Sequence, residues 1–254
     1  SYLRQLSEAY VRWGDARHLA AARAIETYLT AFLGSPEGAF YVSQDADLDA
    51  TTDGHAYYAL DDAGRRRLGI PRIDTHLYAR ENGWAVSGLS AYYAATGEPS
   101  VLAAAERVLD WVIANRRMDG GGYRHDAVDR GGPFLGDTIA VGQAALDLYA
   151  ATGTRRWLDV AIAAGEFTGA NFKGSDGGFV SSRTPEAGAG VLLEPFVQFD
   201  ETVAATRFAN LLARYTGRET FHALARHGMR YLASDMLTSF VGNAAGILLA
   251  DTEV

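Results

Sequence analysis

The chain has 254 residues, of which 48% are hydrophobic and 21% charged, a composition typical of a globular protein. Its 31 acidic residues outnumber its 23 basic ones, so the formal net charge is −8. This charge argues against a nucleic-acid-binding surface, which needs clustered positive residues. The absence of cysteine excludes disulfides, thiolate nucleophiles and cysteine-ligated metals. It leaves both cytoplasm and periplasm open as compartments, and we favour the cytoplasm.

Four apolar segments along the chain each end at a glycine and lead into a second helical segment. The glycines are Gly14, Gly97, Gly153 and Gly217, and a glycine in this place suits the left-handed residue that closes a helix. The second segments carry apolar residues at helical spacing and run approximately over 16–32, 99–116, 155–170 and 219–235. The pattern predicts four helical hairpins, with a ninth helix beginning near residues 242–244.

A glycine-aromatic loop follows three of these hairpins. Its sequences are Gly38-Ala39-Phe40, Gly121-Gly122-Tyr123 and Gly177-Gly178-Phe179, each at nearly the same distance beyond its turn glycine. A spacing that holds through divergent sequence indicates one repeated structural unit. Longer, more variable loops then lead to the next hairpin.

Tandem hairpins with short turns at one end and long polar loops at the other are typical of a closed α/α toroid. We therefore expect an all-α fold of the (α/α)6 type, forming a single domain over residues 1–254. A ring of six hairpins needs twelve long helices, so we expect the toroid to be incomplete at its N-terminus, with further hairpins upstream. No stretch reaches the roughly 18 apolar residues of a membrane span, and we expect no membrane partner.

Three acids recur at one position of the repeat. Glu81, Asp137 and Glu201 each precede a turn glycine by the same distance and so open the first helix of a hairpin, at the long-loop end. Acidic side chains there complement the helix dipole and cap free N–H groups. They would also line a pocket at the mouth of the toroid, and the two roles are compatible.

A further acidic segment, residues 41–49, contains Asp45, Asp47 and Asp49 at alternate positions. An EF-hand calcium loop would need glycine and glutamate where Ala50 and Ala56 stand, so we expect no calcium here. The carboxylates of Asp45 and Asp47 are candidates for general acid and base. For Asp49 we expect a hydrogen bond to the local backbone.

Aromatic, amide and acidic residues in the loops suit sugar recognition, because sugar rings stack on aromatic side chains and sugar hydroxyls need directional partners. No histidine pair has the spacing of a zinc site, and no phosphate-binding or dinucleotide-binding motif occurs, so we expect neither metal nor cofactor. The candidate substrate-binding residues are Gln44, Tyr57, Asn82, Trp84, Tyr123, His125 and Asp200.

Residues 38–47, 54–58 and 81–83 carry a resemblance to a known family. The runs Gln44-Asp45-Ala46-Asp47 and Gly54-His55-Ala56-Tyr57-Tyr58, followed by Asn82-Gly83, resemble the C-terminal region of the thioredoxin-domain proteins related to spermatogenesis-associated protein 20. The resemblance implies an α/α toroid like that of N-acylglucosamine 2-epimerases and six-hairpin glycosidases. It also implies a thioredoxin-like domain before the toroid, which nothing in this sequence matches. The family's Asp-Trp-Asn-Gly is Arg80-Glu81-Asn82-Gly83 here, which loses the aromatic residue and moves the acid.

Our leading hypothesis is therefore a sugar-binding or carbohydrate-active toroid, with Asp45, Asp47, Glu81, Asp137 and Glu201 as candidate catalytic acids. Hydrolysis needs two carboxyl groups about 5–5.5 Å or about 6.5–9.5 Å apart. A 2-epimerase would use histidines, of which only His125 is expected near the mouth, so hydrolysis is favoured. The alternative is a non-catalytic module that docks a thioredoxin-like domain or partner. An enzyme predicts these acids around one pocket, whereas a docking module predicts solvated acids and a broad apolar face.

Overall fold

The computed structural model describes residues 1–129, 131–183, 196–239, 242 and 244–253. These residues form twelve α-helices and one pair of short strands. The helices are α1 (Tyr2–Trp13), α2 (Ala16–Tyr28), α3 (Gly54–Tyr58), α4 (Asp62–Leu68), α5 (Ala79–Thr96), α6 (Pro99–Arg116), α7 (Leu135–Thr152), α8 (Arg155–Asn171), α9 (Phe199–Thr216), α10 (Glu219–Leu232), α11 (Asp235–Thr238) and α12 (Ala244–Glu253). The strands are β1 (Ser43–Gln44) and β2 (Ile73–Asp74), which pair antiparallel.

The four predicted hairpins are confirmed as α1/α2, α5/α6, α7/α8 and α9/α10. Each turn glycine is left-handed, with φ between 65° and 70°, and its N–H bonds to the carbonyl four residues earlier. The helix predicted near 242–244 is α12, which begins at Ala244; Asn243 lies outside the described residues.

The first helices of the hairpins pack side by side in an inner row, α1, α5, α7 and α9, which α12 continues beyond α9. The second helices, α2, α6, α8 and α10, each pack against their own hairpin partner on the outside. The core between the rows is fully buried at Leu89, Val141, Trp157 and Phe208. This all-α arrangement confirms the predicted toroid fold class.

The glycine-aromatic loops form a repeated structure at the long-loop end. Bridges join Gly34 to Phe40, Arg117 to Tyr123 and Lys173 to Phe179, so each loop closes over the same sequence interval. The backbone N–H of each aromatic residue donates to a buried side chain of the inner row. The acceptors are Asn82 at 2.8 Å, Thr138 at 3.3 Å and Thr202 at 3.4 Å.

The connection between the first two hairpins holds elements that the sequence analysis did not predict. Helices α3 and α4 are only 5 and 7 residues long and begin at the capping side chains of Asp53 and Asp61. Helices so short show no hydrophobic period. None of the helices among the described residues is long and apolar enough to cross a membrane.

Candidate functional site

A cavity of about 610 Å³ opens among the four inner helices of the hairpins. The ends of α5, α7 and α9 that line it are N-terminal, as the position of the acids in the repeat predicts. Its polar and aromatic lining comprises Ser1, Arg4, Gln5 and Glu8 from the first hairpin, Arg80, Trp84 and Ser87 from α5, Gln143 from α7, and Gln198, Asp200, Glu201 and Arg207 from the α9 segment.

Of the acids predicted from the repeat, Glu201 lines this cavity, and Glu81 and Asp137 are hydrogen-bonded to Arg80, which lines it as well. Asp137 is 2% exposed and accepts hydrogen bonds from the backbone N–H of Arg80 at 2.9 Å and from Nδ1 of His125 at 2.9 Å. Glu201 lines the cavity itself. Glu81 accepts from Nε and Nη2 of Arg80 at 3.0 and 2.9 Å. The structure thus brings three of the five candidate catalytic acids together.

Burial sets the protonation of these groups. It raises the pKa of Asp137, and hydrogen bonding to His125 offsets part of that effect. Burial also raises the pKa of Glu201. The hydrogen bond to Asp137 raises the pKa of His125. The pKa values of Asp137, Glu201 and His125 are thus all raised, the two carboxyl groups by burial and the imidazole by its hydrogen bond to Asp137.

The ring of His125 contacts two aromatic side chains in addition to Asp137. Its ring stacks on Tyr78 with centroids 4.0 Å apart and meets Phe134 edge-on at 6.2 Å. Its backbone N–H donates to Asp129 at 2.7 Å. Sequence reasoning missed Tyr78 and Phe134, although both precede their turn glycines by the same distance, and extending the repeat comparison backwards would have found them.

A hydrogen-bonded cluster that the sequence did not indicate also contributes to the cavity lining, through Arg4, Glu8 and Gln143. Arg4 bonds to Glu8 at 2.8 Å and to Asp147 at 2.9 Å, and Asp147 also accepts from Gln143 at 2.9 Å. Arg4 and Asp147 are far apart in the sequence, and no local signal connects them.

The segment of residues 41–49 lies apart from the cavity. Asp45 is half-exposed and pairs with Arg72 at 3.1 Å, and Asp47 accepts from the N–H of Gly54 at 2.6 Å. Both line a separate shallow depression of about 410 Å³. Asp49 accepts from Thr51 and Thr52, which confirms its predicted role in the local turn.

Several candidate binding residues also lie away from the cavity lining. Gln44 accepts from Tyr28 and donates to the carbonyl of Pro71, and the hydroxyl of Tyr57 donates to the carbonyl of Gly69. Asn82 is buried against Phe40. Tyr123 is 1% exposed, so its ring offers no stacking surface, and burial raises its pKa to about 12. Of the predicted binding residues, Trp84 and Asp200 line the cavity, and His125 is bonded to Asp137 outside that lining.

Within the described part of the chain, no three histidine or acidic side chains are grouped closely enough to hold a metal ion. Hydrogen bonds to Arg80 and His125 occupy Oδ1 of Asp137, and hydrogen bonds to Arg80 occupy Oε1 of Glu81.

The fold is that of an α/α toroid, with an inner and an outer row of helices and a cavity among the inner helices. No protein-family model matches the sequence, and no curated protein does. Several solved structures are similar to this chain. One is a cellobiose 2-epimerase from Spirochaeta thermophila, which shares 17% sequence identity with a TM-score of 0.70; the similarity covers 91% of this chain and 56% of that one. A sugar epimerase from a ruminal bacterium shares 18% at a TM-score of 0.68, over 90% and 57%.

A glycoside hydrolase family 76 α-mannanase from Bacteroides thetaiotaomicron is also similar, with 16% identity and a TM-score of 0.60, over 99% of this chain and 67% of that one. This chain thus spans a little over half the length of the two epimerases. Similarities at this level of identity establish the toroid fold, while the activity has to be argued from the site.

Proposed function

We propose that this chain is a carbohydrate-active or sugar-binding toroid domain whose ligand occupies the inner-row cavity. The observation that carries the proposal is that Glu201 lines the cavity together with Arg80, to which both Glu81 and Asp137 are hydrogen-bonded, beside the half-exposed indole of Trp84. Aromatic faces bind the apolar faces of sugar rings, and carboxylates accept from hydroxyl groups. The sugar enzymes that share the fold support this proposal by analogy.

Glu201 is our candidate for the general acid. A carboxyl group whose pKa is raised by burial keeps a proton that it can donate to a leaving-group oxygen. Glu81, whose Oε2 atom is buried without a hydrogen-bond partner among the described residues, is the candidate for the second carboxylate of a hydrolysis. Asp45 and Asp47 have no place in this scheme, because they line a separate depression with residues of their own loop and Arg72.

Epimerisation is the second candidate reaction, and the His125–Asp137 pair favours it. A buried carboxylate that bonds Nδ1 orients the imidazole and leaves Nε2 as the atom that exchanges a proton with a ligand. The products separate the two reactions: hydrolysis releases a new reducing end from a disaccharide, and epimerisation converts one sugar into its isomer without cleavage.

A binding screen tests the proposal. The chain would be titrated by ligand-observed NMR with monosaccharides, disaccharides, amino sugars and uronic acids, and each binder would then be assayed for turnover. We expect Glu201→Gln to abolish turnover. Glu166→Gln is the matched control, since Glu166 pairs with Arg218 on the outer helices. Full activity of Glu201→Gln would exclude the assigned acid, and absence of binding to every sugar would contradict the proposed function.

The rival proposal is the non-catalytic module that docks a thioredoxin-like domain, as in the family resembled by residues 38–47. Val11 and Trp13 are exposed at the end of α1 and would suit such a contact. A docking module would keep its acids solvated, and the burial of Asp137 supports the sugar site instead. Chemical-shift changes at Val11 and Trp13 on adding a thioredoxin-like domain, with no response to sugars, would favour docking.

A further inference from the structure

We infer that Arg80, Gly136 and Glu201 form a clamp for two adjacent hydroxyl groups of one sugar ring. This inference rests on the proposed sugar-binding function and specifies which chemical feature of the ligand the cavity recognises. It assigns a role to Gly136, a residue that carries no side chain and that no sequence motif indicated.

The clamp arises from one position of the repeat. Arg80, Gly136 and Asp200 each stand immediately before one of the three repeat acids, and all three line the cavity. Because the middle hairpin has glycine there, side chains from the helices on either side approach each other above α7. A Cβ atom at residue 136 would lie 2.9 Å from Oε1 of Glu201, 3.3 Å from Cδ of Arg80 and 3.8 Å from its Nη1.

The donor half of the clamp is held in a fixed orientation. Nε and Nη2 of Arg80 both bond to Oε1 of Glu81, and the guanidinium carbon lies 5.1 Å from the ring centre of Trp84. Nη1 is the remaining nitrogen and is the one near Gly136. The backbone N–H of Arg80 donates to Asp137, which also fixes the start of α5.

The acceptor half is the carboxyl group of Glu201. Its Oε1 is the atom closest to the vacant Cβ position of Gly136, and its Oε2 is buried without a well-formed hydrogen bond, with Ser181 near enough to lower the pKa of the carboxyl group. Leaving a buried polar atom unpaired is costly, so a ligand that donates a hydrogen bond to this carboxyl group gains more than it would at a solvated one.

The hydrogen-bonding pattern of the ligand decides whether it fits. A guanidinium donor and a carboxyl acceptor both lie within 4 Å of the vacant Cβ position of Gly136. A hydroxyl group both donates and accepts, so one of two neighbouring hydroxyls donates to Glu201 while the other accepts from Nη1 of Arg80. A carboxylate or phosphate has no proton to donate to the carboxyl group of Glu201, and the acidic side chains of Glu8 and Asp200 in the cavity lining disfavour a further negative charge. The chemistry therefore points to an uncharged ring with two adjacent free hydroxyls.

The decisive variant is Gly136→Ala. Alanine is the better helix former, and the atoms nearest to the added methyl group belong to the side chains of Glu201 and Arg80 and not to the backbone, so the fold is retained and the melting temperature does not fall. The methyl group parts the two halves of the clamp. Gly169→Ala is the matched control, because its methyl group would lie 3.6 Å from Leu224 on the outer side of the molecule.

The probes are D-glucose, D-mannose and cellobiose, with the monodeoxy derivatives of whichever binds most tightly, measured by isothermal titration calorimetry. We expect Gly136→Ala to weaken binding of the parent sugar at least tenfold and Gly169→Ala to leave it unchanged. Removing either hydroxyl of one adjacent pair should weaken binding to the wild type similarly, and those two derivatives should bind Gly136→Ala and wild type equally.

Two results would overturn the clamp while leaving the proposed function intact. One is binding of the parent sugar to Gly136→Ala within twofold of wild type. The other is an equal loss for the parent and for every deoxy derivative, which would mean that the methyl group merely reduces the cavity. Absence of binding by the wild type to all three sugars and to the wider sugar panel would overturn the proposed function and the clamp together.

Discussion

The imidazole of His125 shows how neighbouring residues decide the chemistry of a single side chain. Its sequence context, a glycine-aromatic loop, is shared with two other repeats that have no histidine at this place. What distinguishes it is the carboxylate of Asp137 at 2.9 Å and the stacked ring of Tyr78. Both partners come from other segments, and together they fix the orientation of the ring.

We expect His125 to titrate above the usual histidine value of about 6.5, because the hydrogen bond to Asp137 favours the imidazolium. Since the folded protein holds this proton more tightly than the unfolded chain, the resulting stabilisation is complete below about pH 6.5 and is lost as pH rises through the folded-state pKa. NMR titration of the ring Cε1–H measures the midpoint, and Asp137→Asn should lower it. A wild-type midpoint at or below about 6.5 would refute the assignment.

Asn82 illustrates a residue whose role is structural although its motif suggested binding. Its side chain bonds to the N–H and the carbonyl of Phe40 and to the carbonyl of Tyr78. We expect Asn82→Ala to destabilise the fold by about 1–3 kcal/mol for each buried backbone group left unpaired. Urea unfolding followed by circular dichroism measures this. Asn115→Ala, at an exposed helix end, should change stability by less than about 0.5 kcal/mol, and equal effects would contradict the prediction.

The helical hairpin is the element that the repeat encodes, and its turn depends on one backbone conformation. Gly97, Gly153 and Gly217 have φ between 65° and 70°, and a Cβ at any of them would meet nothing within 4 Å. The requirement for glycine is therefore one of backbone conformation alone, since left-handed φ is unfavourable for residues with a Cβ.

We expect Gly97→Ala to lower the free energy of unfolding by about 1–2 kcal/mol, the cost of a left-handed conformation for an L-residue. Gly169→Ala, inside α8, should instead raise it by up to about 1 kcal/mol, because alanine is the better helix former. Thermal and urea unfolding of the two variants measure the opposite signs. A stabilised Gly97→Ala protein would show that the turn can be closed in another way.

The close packing of the inner row is a property of the molecule as a whole. Helices α5 and α7 approach so closely that a Cβ at Gly83 would lie 2.7 Å from the backbone carbon and 2.8 Å from the backbone oxygen of Ala140. Backbone atoms cannot move aside as a flexible side chain can, so any side chain at residue 83 must push the two helices apart.

Gly83→Ala should therefore destabilise the protein by about 1–3 kcal/mol through overpacking. This loss outweighs the gain in helix propensity that alanine brings. Differential scanning calorimetry measures the loss, and Gly169→Ala again supplies a glycine-to-alanine change without crowding. A melting temperature for Gly83→Ala equal to that of the wild type would show that α5 and α7 have room to separate.

The amino-acid sequence by itself predicts the hairpins, the toroid class and the position of the acids along the inner helices. These are local or periodic properties: the apolar spacing, the glycine that ends each first helix, and the constant step from that glycine back to Glu81, Asp137 and Glu201. A repeat makes such properties readable, because equivalent residues occupy equivalent places in each hairpin.

Which of the candidate residues share one cavity depends instead on the packing of the helices. Asp45 and Asp47 belong to the most distinctive motif of the sequence, yet strand pairing and an ion pair hold them at another surface. Arg4 joins Asp147 from a distant part of the chain, and Gly136 brings Arg80 and Glu201 together by lacking a side chain. These contacts join residues that are far apart in the sequence, so no periodic pattern along the chain indicates them.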